Sequence, residues 1–187
     1  MPKQKPVLNK MRHPEYARDE EWIVRFLKEA QVGRIATRTG NQPYITPTLF
    51  WYSPDQHEIY FHSNITGQVR SNAEDYPEVC FETSRVGRLL PSNLALEFSM
   101  QYESVIAFGK VRVVEDEADK KKFLYGLIDK YFPGMQPGEH YRPITGKELK
   151  HTSVYAITIE KWSGKYHWPD QADQGNEWPP LGEQWFR

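Results

Sequence analysis

The chain has 187 residues and a formal net charge of −1, with 26% charged and 39% hydrophobic residues. This is one domain's worth of soluble chain with enough apolar residues for a proper core. The balance excludes broad electrostatic attraction to nucleic acid or acidic membranes, and no apolar run approaches the roughly 20 residues that span a bilayer.

Cys80 is the single cysteine, so an intrachain disulfide is impossible and nothing argues for an oxidising compartment. The start "MPKQKPVLNKMRHP" is positively charged but has no apolar centre of the signal-peptide kind. A cytoplasmic location is the default expectation. Residues 1–14 read as a loose polar arm, 15–168 as the folded domain, and 169–187 as a tail rich in Pro, Gly and Trp.

A helix is expected from Asp19, whose neighbours Glu20 and Glu21 suit its positive end. Trp22, Ile23, Phe26 and Leu27 share a face, and Gly33 is the expected stop. "GRIATRTGNQPYITPTLFWY" reads as a hairpin about the "TGNQP" turn. "SPDQ" is a second turn leading into the strand "HEIYFHS". A short helix over 67–76 ends before Pro77. "EVCFETS" alternates Val79, Phe81 and Thr83 on one face, while "RVGRLLPSNLALEF" is an ambiguous connection. "QYESVIAFGKVRVVE" is a long strand with a bulge expected at Gly109. Asp116 caps a helix whose inner face is Phe123, Leu124, Leu127, Ile128 and Tyr131. Thr145 and Glu148 have capping-box spacing, and "SVYAITIEKWS" is the final strand. Around six strands with short connections predict an antiparallel barrel with helical additions, not a parallel βαβ fold.

Several chemistries are set aside. The chain has no GxGxxG after a strand, no phosphate loop of the GxxxxGK type and no GxSxG. The six histidines are dispersed; His57 and His62, placed on one strand, point to opposite faces and cannot share a metal, so no metal site is expected. Cys80 reads as a small core residue. The stretch "YFHSNITGQVRSN" stands out because so many polar groups meet where a strand ends and a helix begins. Ser63, Asn64 and Thr66 supply side-chain groups, Gly67 lets a ligand approach the backbone, and Arg70 adds charge beside the helix N-terminus. These residues suit a phosphate seat. They equally suit an Asx turn and N-cap with Arg70 paired to Glu74 at i,i+4.

The order "GRIATRTGNQPYITPTLFWY…EIYFHSNITGQVRSN…PEVCFE", followed by "ESVIAFGKVRVVED" and "SGKYHW", resembles the pyridoxamine 5′-phosphate oxidase-like family over about 30–168. The nearer branch is that of the nitroimidazole-resistance flavoproteins. The resemblance implies a mainly β fold with helices, an antiparallel, Greek-key-like FMN-binding split β-barrel. It also implies a homodimer with FMN in grooves between subunits. It places Thr46, Pro47, Thr48, Leu49, Phe50 and Trp51 along the flavin, His62, Ser63 and Asn64 near it, and Gly67, Gln68 and Arg70 at the phosphate. Ser104 would touch the flavin ring from the partner chain, and Lys165 and Trp168 fall near the family's C-terminal cofactor contacts. The oxidase proper has Arg-Lys where this chain has Gln68 and Val69, and "KYHW" stands in place of its "R-x-H-x-R" pattern. The resemblance therefore implies a relative that does not oxidise pyridoxamine 5′-phosphate.

The expected function is an FMN-dependent oxidoreductase acting on a small organic molecule such as a nitro compound, with NAD(P)H or another donor and His62 as a candidate proton-exchanging residue. The alternative is a non-catalytic flavin- or heme-binding storage or sensor module. A third is a cofactor-free barrel that uses its aromatic tail for protein contacts.

Overall fold

The computed structural model describes residues 10–186; most of the arm expected over 1–14 lies outside them. Eight strands and four α-helices are present: β1 (Ala17–Arg18), α1 (Glu20–Glu29), β2 (Gly33–Thr39), β3 (Gln42–Thr48), β4 (Trp51–Ser53), β5 (Glu58–Asn64), α2 (Gln68–Asp75), β6 (Glu78–Leu90), β7 (Ser99–Val114), α3 (Glu117–Tyr131), α4 (Gly146–Lys150) and β8 (Thr152–His167). Every named strand pair is antiparallel, in the order β3-β2-β6-β7-β8-β5-β4 with β1 also on β8. This is the split barrel. Among the described residues no helix is long and apolar enough to cross a membrane.

Local signals set most element starts. The Asp19 carboxylate accepts from the Trp22 N–H at 2.9 Å, and Asp116 accepts from Ala118 and Asp119. Thr145 and Glu148 close a reciprocal capping box. Gly40 turns the β2–β3 hairpin at φ +58°, a conformation that costs glycine little. At Gly109 the β7–β8 register shifts as expected; a Cβ there would sit 2.0 Å from the Thr158 carbonyl oxygen.

Five expectations are corrected. Gly33 does not stop α1, which ends at Glu29. It opens β2, where a Cβ would meet the Phe81 ring at 2.3 Å. His57 lies in the turn before β5 at φ +53° and meets the Tyr52 hydroxyl at 3.1 Å, so it is off the strand. Cys80 is half-buried on the face opposite Val79 and Phe81, because neighbours along a strand alternate. The number of strands exceeds six, and "RVGRLL" is not a connection but the continuation of β6.

The main core fills the barrel with Ile35, Phe50, Phe61, Phe81, Val105 and Tyr155, closed by Ile23, Phe26 and Leu27 of α1. A second cluster forms where Phe123 and Leu127 of α3 cover Tyr60, Val114, Val154 and Ala156. The strands at the two ends of the sheet order, β3 and β4, are joined through Leu49 and Phe50 alone, so the barrel splits there. The Phe50 backbone leaves the ladder, and buried backbone groups need partners. Tyr131 supplies them: its hydroxyl accepts the Phe50 N–H at 3.1 Å and lies 2.5 Å from the Gln31 carbonyl oxygen. Beside it, Lys130 Nζ donates to the Leu27 carbonyl at 3.0 Å and sits 3.4 Å from the centre of the Phe50 ring. Burial pulls this ammonium down to about 7, while the ring face and the carbonyl end of α1 favour its charge. Tyr131→Phe should cost about 1–3 kcal/mol by stranding the Phe50 N–H; a denaturant midpoint within error of the parent would show that another group takes over.

The tail does not hang free. Asn93 accepts the Gly175 N–H at 2.8 Å and returns a donor to the Gly175 carbonyl at 2.9 Å. Ser92 donates to the Asp173 carbonyl at 2.6 Å, and Ala172 is buried. The tail thus docks on the β6–β7 connection of its own chain.

Candidate functional site

The junction after β5 is built by two polar assemblies. The first anchors α2. Gln68 Nε2 donates to Thr39 Oγ1 (2.9 Å) and to Asn72 Oδ1 (2.7 Å), and Thr39 donates to Asn72 Oδ1 (2.8 Å). Asn72 Nδ2 donates to Thr37 Oγ1 (2.9 Å), which donates to the Tyr44 carbonyl (3.3 Å). Each hydroxyl gives one proton and accepts one, so an unbroken chain of hydrogen bonds runs from α2 to the β2–β3 hairpin. Asn72 is 2% exposed. Gln68, proposed from the resemblance as a phosphate contact, is committed to this network. Thr37, Thr39 and Asn72 were missed in the sequence, because their relation is one of three-dimensional register; the only hint was an unusually polar helix start.

The second assembly closes the barrel mouth. Ser63 Oγ lies 3.1 Å from the Tyr155 hydroxyl, and Arg70 Nη1 donates to Ser153 Oγ at 3.3 Å. Arg70 Nε bonds the Glu74 carboxylate at 2.5 Å, and Glu115 stands 3.8 Å from Nη2. Asn64 accepts the Thr66 N–H at 3.4 Å, the outline of an Asx turn. Of the bland alternative, the Asx turn and the Arg70–Glu74 pair are therefore formed, whereas the side-chain N-cap is not. They do not use up the helix start: Gly67 caps α2 at φ +126° with open space around it, and no side chain caps the first turn. Gly67 is needed for that backbone angle.

Thr46 and Thr48 pair with Ile35 and Gly33 and so lie on the inner face of edge strand β3, with Pro47 on its outer face. Thr48 donates to the Leu49 carbonyl at 3.1 Å, and Leu49 is 42% exposed. Thr46 Oγ1 and His62 Nδ1 are buried without a hydrogen-bond partner among the described residues. Burial lowers the pKa of His62 below its ordinary value. His62 pairs with Val154 and shares the face of Tyr60, opposite Ser63. Trp51 packs against Tyr60, Phe123 and Gly126 of the second cluster.

Ser104, Lys165 and Trp168 lie apart from these residues. Ser104 and Lys165 face each other across β7 and β8. Lys165 Nζ sits 4.9 Å from the Tyr102 ring centre. Trp168 stacks on Tyr166 at 5.9 Å and fills the space above Gly87. The candidates thus lie in three places: along edge strand β3, at the junction of β5 with α2, and on β7–β8. The exposed face of the chain also carries Tyr44, Ile45, Val86, Leu89, Leu96 and Phe98. Among the described residues, no three His, Cys, Asp or Glu side chains gather as metal ligands do.

The chain shares its fold with solved flavoproteins. It is similar to the flavocytochrome Anf3 from Azotobacter vinelandii, with 25% identity, TM-score 0.79, and coverage of 90% of this chain and 76% of that one. It is similar to the FAD and heme binding protein from Mycobacterium smegmatis at 22% identity and TM-score 0.77, covering 87% and 78%. A protein described as a 5-nitroimidazole antibiotic resistance protein from Bacteroides thetaiotaomicron follows the same fold at 21% identity and TM-score 0.67, covering 79% and 84%. No match was found among curated proteins. The model of the family described as pyridoxamine 5′-phosphate oxidase matches residues 19–166, and with the split-barrel order of its strands the chain belongs to that family.

Proposed function

We propose that this protein is a flavin-dependent oxidoreductase that binds FMN at the interface of a homodimer and acts on a small organic molecule. The observation that carries the proposal is that two buried polar atoms, Thr46 Oγ1 on β3 and His62 Nδ1 on β5, lack hydrogen-bond partners among the described residues. A buried polar group without a partner costs about 1–3 kcal/mol, so such atoms in a native chain call for a ligand or water. Support also comes from the uncapped start of α2, which offers free N–H groups and a positive dipole end to a phosphate.

The residues present fit a flavin. The α2 start and Arg70 would hold its phosphate, Thr46, Thr48 and Leu49 would line its length, and Ser104, Lys165 and Trp168 of the second subunit would complete the groove. A bound flavin supplies electron acceptance and donation. His62, which burial keeps neutral near pH 7, presents an imidazole able to take or give one proton. Dimerisation agrees with the apolar side chains left exposed on the β6 extension and β3, since large exposed apolar surface marks contact sites.

The flavocytochrome likeness at 25% identity over 90% of the chain favours a second reading, a flavin- and heme-binding module without a small-molecule substrate. Purification followed by a visible spectrum separates the two. The oxidoreductase should be yellow, release FMN on denaturation and bleach anaerobically with NADH or NADPH. A Soret band, or a flavin that no donor reduces, would support the module; colourless protein that takes up no flavin would end both.

A further inference from the structure

We propose that a small pocket between the N-terminal segment and the β7–β8 face binds an oxyanion, the phosphate or carboxylate end of the small molecule on which the protein acts. The position of this pocket as part of a substrate site rests on the flavin proposal; its chemistry rests on its own residues. Ser104↔Lys165 and Ile106↔Ser163 are alternate rungs of the β7–β8 ladder, with Val105↔Gly164 between them, so their side chains stand on one face. Lys10 and Arg12 arrive over that patch from the N-terminal segment. With Met11 between them, these residues enclose a cavity of about 200 Å³.

The charge in this cavity is one-sided. Three cations and two hydroxyls line it without a carboxylate. Among the described residues, Lys10, Arg12 and Lys165 make no ion pair, while Arg34, Arg70, Arg85, Arg112 and Arg142 all do. Glu15, whose carboxylate feels the Lys165 charge, is engaged by His13 at 2.9 Å. The Tyr16 and Tyr102 rings, 5.6 and 4.9 Å from Lys165 Nζ, steady the ammonium. Cations brought together repel one another, and an anion among them removes that cost while taking several charge-assisted hydrogen bonds.

Size decides which part of a ligand fits. The cavity is smaller than the roughly 300–1,000 Å³ of sites that enclose a whole drug-sized ligand. It suits an acidic end group and is too small to enclose a flavin ring system, which would meet Ser104 and Lys165 only at the pocket's rim. Lys10 and Ser163 also border a second cleft of about 670 Å³, whose lining includes Ile23, Trp162 and Gly164 together with Arg18, Asp19 and Glu20; it leaves room for the rest of the molecule, and its carboxylates favour an uncharged or cationic remainder. The "KYHW" segment supplies one cation, Lys165, and the N-terminal segment adds Lys10 and Arg12 to it.

The test is a titration of the purified protein with inorganic phosphate and, separately, acetate, at ionic strength held constant with chloride. Amide NMR shifts of Ser104, Ser163 and Lys165 report binding. Saturable shifts with either anion, and a Kd at least tenfold weaker in the Lys10→Ala/Arg12→Ala double variant, are expected. Saturation by phosphate alone assigns the source to a phosphate ester; saturation by both admits a carboxylate. Absence of saturation with both anions, or a double variant that binds like the parent, would overturn the proposal. Flavin content of the same samples keeps the two proposals separate. Colourless protein with saturable shifts at these amides would remove the flavin and keep the pocket; yellow protein without them would do the reverse.

Discussion

Arg70→Ala is expected to weaken flavin binding roughly 10- to 100-fold, the effect of about 1.5–3 kcal/mol for a charge-assisted hydrogen bond to a phosphate. The competing partners do not prevent this. Arg70 holds Glu74 and approaches Glu115, but those carboxylate side chains are 50% and 74% exposed. Exposed pairs of this kind contribute only about 0–1 kcal/mol each, so a dianionic phosphate at the α2 start outcompetes them. Glu74→Gln should therefore leave affinity unchanged or raise it by freeing the guanidinium. A fluorescence titration of apoprotein with FMN decides the matter. Affinity unchanged in Arg70→Ala would remove Arg70 from the site and leave the N–H groups of the helix start as the phosphate's hold.

Asn72→Ala should lower the folding stability by about 1–3 kcal/mol, because it removes a side chain 2% exposed that ties α2 to the β2–β3 hairpin and leaves the buried Thr37 hydroxyl without its donor. Thr39 loses its acceptor, Thr37 its donor, and Gln68 one of two acceptors. Against the roughly 5–15 kcal/mol of a typical domain, this is a large fraction. The midpoint of urea unfolding should fall with little change in slope. Flavin affinity should fall with it, since the same network sets the angle at which α2 presents its first turn. A midpoint shift below about 0.5 kcal/mol would mean that water replaces the side chain and that the network does not position the helix.

Features decided by neighbours in sequence were readable. Asp19, Asp116 and the Thr145–Glu148 box announce their helices because caps act within one turn. Gly40 and Gly109 mark a turn and a bulge for the same local reason. The longer-range features were not readable. β6 runs on through Arg85–Leu90 because β7, beginning at Ser99, continues to pair with it. Cys80 and His57 were misplaced by assuming strand faces and strand ends that only pairing fixes. Gly33 serves packing against Phe81, not helix termination.

The candidate site divides along the same line. "YFHSNITGQVRSN" by itself determined that polar groups, a flexible glycine and a cation meet at a strand-to-helix junction, because all of them lie within a few turns of chain. Only the tertiary structure decided what each does. It gave Gln68 to the Thr39–Asn72 network, set His62 and Ser63 on opposite faces, and left Thr46 Oγ1 and His62 Nδ1 without partners. It also gathered Lys10, Arg12 and Lys165 around one cavity. Electrostatics and hydrogen bonding act over a few ångströms of space, whereas these residues are separated by up to 155 positions of chain, so their meeting is a property of the fold.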